Sequence, residues 1–352
     1  MNGNEPSLNV VRAGLFSSIQ DSGRFGLRHL GIPWAGVLSP AWQRIANSLV
    51  GNPADHPVIE CFEGGLQLQA CGQAVHLSIV GCDAAIIKSG FGGTESVSRP
   101  NRTITLAAGD NLFINSTGTS RHVLIAVAGI AIEDHLGSAS TYAKASLGGL
   151  NGNTLQSGDV IRIRHSESYS SDRYTEQQCH LPKPLQYQAS ELRALPGPQF
   201  DHFSKAGIES FLASDYELGS ETDRMGVRLH GAEIEHRDSS AKDIVSDAIL
   251  PGSIQVPGAG QPIVMLNDSH TAGGYPKIAT IISCDLPLLG IQRAGASFRF
   301  RLIDIDEAIM LRHQMQTFIN ECLSSFTPCI ANELDTETLL SCNLIDGVTD
   351  GS

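Results

Sequence analysis

The stretch from Pro262 to Lys277 concentrates groups that could do chemistry: Asn267, Asp268, Ser269, His270 and Thr271 at the end of an apolar run, then Gly273-Gly274, Tyr275, Pro276 and Lys277. The run Ile263–Leu266 reads as a buried strand that delivers the polar residues at its tip. A Gly-Gly pair lets bare backbone N–H groups approach a ligand as carboxylate or oxyanion donors. Asp268 could act as a base, and Lys277 could hold negative charge developing on an amide or carboxyl oxygen. Pro276 biases Tyr275 toward an extended backbone. The same letters also suit a hairpin whose glycines only permit a tight turn and whose Lys277 is solvated.

Three further places carry candidate groups. In Gln20-Asp21-Ser22-Gly23-Arg24, a planar guanidinium sits in a Gly-rich loop and could fork onto a carboxylate, or Asp21 and Arg24 could bridge each other and pin the loop. Asp223-Arg224-Met225-Gly226 repeats that chemistry in the second half, with the same two readings. Gln255 is a lone amide in the apolar Ile254-Gln255-Val256 and must find a partner when buried, from substrate or from backbone. Ser239-Ser-Ala-Lys242 matches an SxxK spacing, but Asp238, Asp243 and the lack of helical patterning make it a surface loop. Phosphate-loop, GxGxxG, HExxH and GxSxG signatures are missing, and the twelve histidines lack metal-ligand spacing.

The elements that must position these groups are mostly short strands. Val75–Val80, Ile104–Leu106, Leu112–Ile114, Val123–Ala128, Val160–Ile163, Ile254–Val256, Ile263–Leu266 and Phe298–Ile303 are brief, apolar and bounded by Gly, Pro, Asn or Asp. Several follow a Gly-centred turn such as Ala108-Gly109-Asp110 or Ser157-Gly158-Asp159. This is the punctuation of barrels or sandwiches rather than of βαβ units. Four helices are predicted: Pro40 to Leu49 behind Ser39, a short one over Ser138–Ala145, one from about Phe200 to Leu212, and the regular Asp304–Leu323. A polar, then Pro-rich stretch between His165 and Pro198 divides the chain. The resulting units are 8–165, a linker 166–189, 190–305, and a helix with an acidic tail over 306–352.

Length and charge bound the function classes. The 352 residues suit about two domains. With 24 basic against 37 acidic residues, the net charge of −13 repels nucleic acid and anionic membrane alike. No apolar run approaches the ~18 residues of a membrane span, and Met1–Ser7 lacks a signal core, so a cytoplasmic protein is expected. The eight cysteines form no CxxC pair and read as small buried hydrophobes or loop thiols rather than a disulfide frame. Glu333, Asp335, Glu337, Asp346 and Asp350 make the last 22 residues a solvated acidic tail.

Several blocks, in order, resemble the urea amidolyase-related family, also known as the allophanate hydrolase subunit 2 or 5-oxoprolinase C-subunit family. They are Ser18–Arg24, His29–Pro33, Ala46–Asn52, Leu136–Ser138, Pro196–Gln199, Ser220–Leu229, Gly252–Pro257 and Thr271–Ala279, spread over about residues 8 to 303. The resemblance implies a mainly β fold of two tandem cyclophilin-like β-barrel domains with a few short helices and a C-terminal helix. It implies partner proteins like the B and A components of 5-oxoprolinase, and ATP-dependent opening of 5-oxo-L-proline to L-glutamate. ATP would then be a co-substrate handled with or by another subunit. On this view Lys277 and Asp268 do the chemistry and Gln255, Thr271, Gly273, Gly274 and Tyr275 position a small amide or lactam. Asp21, Arg24, Asp223 and Arg224 shape the cleft. The chain departs from the family pattern at Ser39 (usually Asp), Ala139 and Asn153 (usually Arg) and Ser269-His270 (usually Arg-Gln), all placed by this reading near the cleft. Two other functions suit the same family: a carboxyltransferase component acting on urea-like amides, with carboxybiotin from a partner since no biotinyl-carrier signature is present, and a regulatory binding module.

Overall fold

The computed structural model describes residues 5–90, 93–164, 176–187 and 190–329. The N-terminal half is two antiparallel sheets. One runs Val160–Arg162, Ser7–Ala13, Leu66–Cys71, Asn111–Ser116, Ala85–Ser89, Glu95–Ser98. The other runs Phe16–Gln20, Val58–Phe62, His122–Val127, Val75–Val80, Arg102–Leu106, Gln177–Gln178, Thr327–Pro328. Their facing sides share one apolar core that includes Leu8, Leu68, Ile79, Ile86, Leu112 and Ile125. In Leu66–Cys71 burial alternates, because only one side meets that core. Val75–Val80 and His122–Val127 are buried at every position, because helix α1 (Pro40–Leu49) covers their other face.

The C-terminal half closes into a barrel. Its strands run Glu191–Pro196, Lys277–Ile281, Ser253–Gln255, Ile263–Met265, Gly226–His230, Asp215–Thr222, Ser297–Leu302 and back to the first. The closing pair, Glu191–Ala194 against Arg299–Leu302, is parallel; the other neighbours are antiparallel. Closure removes exposed sheet edges. Helix α2 (Lys205–Ala213), capped by the Ser204 hydroxyl accepting from Gly207 N–H at 2.9 Å, stacks Phe211 on Phe300 inside the same core. Helices α3 (Leu286–Ile291) and α4 (Ile305–Ser324) complete it, and α4 packs beside α1. A single apolar core runs from Trp42 and Ile45 of α1 through Tyr187 to Phe298 and Ile254 of the barrel.

The eight predicted strands all occur, with ends displaced by at most a few residues. Two expectations need correction, and one helix was not anticipated. Ser138–Thr141 is not helical; only Ala143–Ala145 makes one 3-10 turn, because Asp21 and Arg24 bind the preceding backbone. The described part of the linker, 176–187, is packed rather than free. Gln177–Gln178 extends the second sheet, and Cys179, Leu181, Leu185 and Tyr187 enter the shared core, since apolar residues alternate there with the prolines. Helix α3 escaped notice because six residues are too few to display a period. Cys61, Cys179, Cys284 and Cys322 are buried thiols, and burial pushes Cys61 and Cys322 up to about 11. The acidic tail from residue 330 lies outside the described residues.

Trp42 joins the halves: it is fully buried and its indole N–H donates to the Leu185 carbonyl at 2.7 Å. Trp42→Ala should lower the unfolding free energy by about 3–5 kcal/mol. Trp42→Phe, which keeps a ring and loses the hydrogen bond, should cost about 1–3 kcal/mol. Urea unfolding followed by circular dichroism measures both.

Candidate functional site

The seam between the halves is built on Arg224. It leaves the turn before strand Gly226–His230 and points into the N-terminal half. Its Nε and Nη2 donate to both Asp268 oxygens at 3.1 and 3.0 Å, its Nη1 to both Glu60 oxygens at 3.1 and 2.8 Å, and its Nη2 to the Gly36 carbonyl at 2.5 Å. Glu60 sits mid-strand in Val58–Phe62 and is fully buried. One guanidinium thus faces two buried carboxylates. Burial, helped by the Asp268 charge, pushes the Glu60 carboxyl up to about 7 against the pull of Arg224. Asp268 is raised for the same first reason, desolvation.

The loop over residues 20–38 is locked to this seam. Asn267 donates to the Val37 carbonyl at 2.8 Å and accepts from Ala35 N–H at 3.1 Å. Gly36 takes φ +82° with Gly23 backbone against it, 2.8 Å from where a Cβ would stand, so a side chain is excluded there. Asp21 and Arg24 do not bridge each other. Asp21 accepts from Gly23 N–H (2.8 Å), Ser138 Oγ (2.6 Å), Ala139 N–H (2.6 Å) and Ser140 Oγ (2.5 Å). Arg24, fully buried, donates to the carbonyls of His135, Ser138 and Ser140. Both residues therefore grip the 135–141 loop instead of a ligand, because its unpaired backbone groups need partners. Asp223 and Arg224 part ways too: Asp223 caps its own turn, accepting from Met225 and Gly226 N–H groups at 2.8 and 3.1 Å.

Beside the seam opens a cleft of about 570 Å³, with Thr222, Asp223, Gln255, Ser269, His270 and Tyr275 among its walls. Gln255 is 4% exposed, and its amide N–H₂ makes one long bond, 3.4 Å, to the Tyr275 carbonyl. Asp268 and Lys277 do not line the cleft, so the expected convergence of the two on one pocket is corrected. Lys277 is 2% exposed and its ammonium is taken by Asp247 Oδ2 at 2.6 Å and the Ala248 carbonyl at 2.9 Å. Asp247 and Ala248 pair with Gly273 and Ala272 in a two-stranded ribbon. Neither Gly273 nor Gly274 takes a left-handed backbone. Gly273 needs its bare Cα because Ile249 and the Gln255 amide crowd it, 2.5 and 2.8 Å from where a Cβ would stand. It offers close packing rather than a donor nest. Thr271 is not among the cleft's lining residues, and its carbonyl accepts from Ile249 N–H at 3.0 Å.

Of the four departures, Ser269 and His270 line the cleft. Ser39 is buried with its hydroxyl 3.5 Å from the Tyr187 hydroxyl, and Ala139 is held by Asp21, so neither reaches it. Asn153 bridges Leu150. Sequence reasoning missed Glu60, Asp247, Arg28 and Lys144. Glu60 left a signal, a lone carboxylate in an otherwise apolar strand. Arg28 left none: it donates to the Ile249 carbonyl at 3.1 and 2.7 Å and the His270 carbonyl at 2.8 Å while lying over Trp34, tying the N-terminal loop to the cleft wall. Among the described residues no three His, Cys, Asp or Glu side chains gather as metal ligands.

Residues 30–302, covering both halves and the seam, match the family model described as carboxyltransferase domain, subdomain A and B. The chain belongs to this family. It is 33% identical over 316 residues to the 5-oxoprolinase C-subunit of Escherichia coli (strain K12), across 89% of this chain and 97% of that protein. It is 31% identical over 308 residues to the 5-oxoprolinase C-subunit of Haemophilus influenzae, across 87% and 94%. The crystal structure of Kluyveromyces lactis urea amidolyase shares the fold at TM-score 0.80 and 23% identity, over 90% of this chain but 20% of that one.

The Glu60–Arg224–Asp268 group gives the stability a pH dependence. A Glu60 carboxyl that is near 4.5 unfolded and near 7 folded binds more protons in the native state, so stability falls as pH rises from about 4.5 to 7 and levels off above. Glu60→Gln should flatten that slope in melting temperature measured from pH 5 to 8. Arg224→Met, which strands two carboxylates, should cost about 3–5 kcal/mol at neutral pH.

Proposed function

We propose that the chain is the C-type component of a 5-oxoprolinase, an assembly that opens the lactam of 5-oxo-L-proline to L-glutamate with ATP as co-substrate. The carrying observation is the match to a 5-oxoprolinase C-subunit over 97% of that relative's length. In this reading B-type and A-type components complete the assembly, and ATP is bound with or by one of them. The cleft suits a small polar ring: Gln255 supplies a poorly satisfied amide donor, Ser269 a hydroxyl, and Tyr275 an apolar wall with a polar end. Lys277 and Asp268 support the chemistry from behind. Lys277 fixes the Asp247–Ala248 ribbon and Asp268 fixes Arg224, so both hold the walls in register.

A second reading has support in the family description and in the urea amidolyase fold match: a carboxyltransferase component working on urea-like amides with a partner's carboxybiotin.

Co-expression with the products of neighbouring genes, followed by assay of glutamate from 5-oxoproline and ATP, separates the two. Glutamate formation that requires this chain supports the 5-oxoprolinase reading. A complete complex that makes none, and that carries a streptavidin-reactive partner, supports the second. Gln255→Met should leave assembly intact and lower kcat/KM about tenfold, the loss of one buried polar contact to substrate.

A further inference from the structure

A negatively charged substrate entering the cleft meets Glu221 and Asp223 at its wall and a chain of net charge −13 around it. It therefore needs a cation that is not already spent. The nearby cations can be taken in turn. Arg224 is shared by Glu60 and Asp268. Lys277 is held by Asp247. Arg28 gives Nε and Nη2 to backbone carbonyls, and its remaining Nη1, although without a hydrogen-bond partner, is fully enclosed rather than open to a ligand. Arg228, itself in the cleft wall, pairs with Glu221 at 3.1 Å. Lys144 is different. It comes from the N-terminal half, exposed on the single 3-10 turn Ala143–Ala145, and reaches across the seam to the Met225 sulfur, a weak acceptor in the cleft wall. It has no carboxylate within ion-pair distance among the described residues, although Asp268 feels its charge from farther away.

The turn that carries Lys144 is well held. Tyr142 and Leu147 exchange backbone hydrogen bonds at 2.8 and 3.2 Å across it, and the residues just before it are those gripped by Asp21 and Arg24. An ammonium on such a base is a positioned charge beside Met225 of the cleft wall.

We propose that Lys144 is the anchor for the carboxylate of the substrate, contributed by the N-terminal half to a cleft otherwise walled by the barrel. That the substrate is 5-oxoproline and bears a carboxylate rests on the function proposed above; the placement of an unpaired ammonium beside the cleft wall does not. Lys144 then sets specificity: it distinguishes a ring that bears a carboxylate from the same ring without one, and Asp21 and Arg24 act through it as positioning residues.

The test is equilibrium binding by the full-length chain to 5-oxoproline and to 2-pyrrolidone, the same lactam lacking the carboxylate, by calorimetry or ligand-observed NMR. The wild type should favour 5-oxoproline by about tenfold or more, as expected for one charged hydrogen-bonded contact. Lys144→Gln should erase that preference without moving the melting temperature, and Lys144→Arg should retain most of it. Equal affinity of the wild type for both lactams, binding of neither, or an undiminished preference in Lys144→Gln overturns the proposal. In the assembled complex, Lys144→Gln should raise KM for 5-oxoproline with kcat nearly unchanged; a preference in binding with no turnover by the wild-type complex would sink the 5-oxoprolinase reading alone.

Discussion

One guanidinium holds this molecule's working geometry. Arg224 belongs to the barrel, yet it is fixed by Glu60 of the N-terminal sheet, by Asp268 of the barrel loop and by the carbonyl of Gly36. Three separate chain segments therefore meet at a single planar fork, and each contact constrains the others. A lysine could not do this, since a point charge lacks the directed donors needed to satisfy two carboxylates and a carbonyl together. Taking these charges from water is costly and is offset only while all partners stay in place. Such an arrangement contributes register more than net stability, which is what a site shared by two half-molecules requires.

The rest of the site is layered on that point. Asn267 and Arg28 sew the N-terminal loop to the barrel loops, and Lys277 with Asp247 stiffens the ribbon beside Gln255. Charged side chains that look catalytic on paper turn out to be consumed by one another. Besides Asp223 and the Glu221–Arg228 pair, the cleft wall carries an amide, hydroxyls and an imidazole, with the Lys144 ammonium against Met225. In the function proposed above that wall recognises a small polar ring, and the family's relatives include subunits of larger assemblies.

The strands were legible because their cause is local. Alternating or continuous β-branched runs between Gly and Pro turns fold as strands wherever a core awaits them, and Val75–Val80 emerges residue for residue. Helices α1 and α4 were legible for the same reason, through a stripe of apolar residues behind a cap. Segment 176–187 misled because prolines suggested a free linker, whereas its buried Leu181, Leu185 and Tyr187 have a destination visible only once both halves are assembled. The turn at Ala143–Ala145 misled because hydrogen bonds from Asp21 and Arg24, more than a hundred residues away, override its local preference.

For the site, the amino-acid order alone determined which residue types gather near the diglycine bend, that the fold is mainly β, and to which family the blocks belong. Tertiary structure decided who pairs with whom. Asp268 and Lys277, nine positions apart, end on different partners because Asp268 leaves a loop facing Arg224 while Lys277 begins a strand whose side chain turns toward Asp247. Glu60 and Lys144 enter the site only because the two halves close on each other. Long-range pairing of this kind depends on where buried charge can be neutralised, and no local pattern of residues records that.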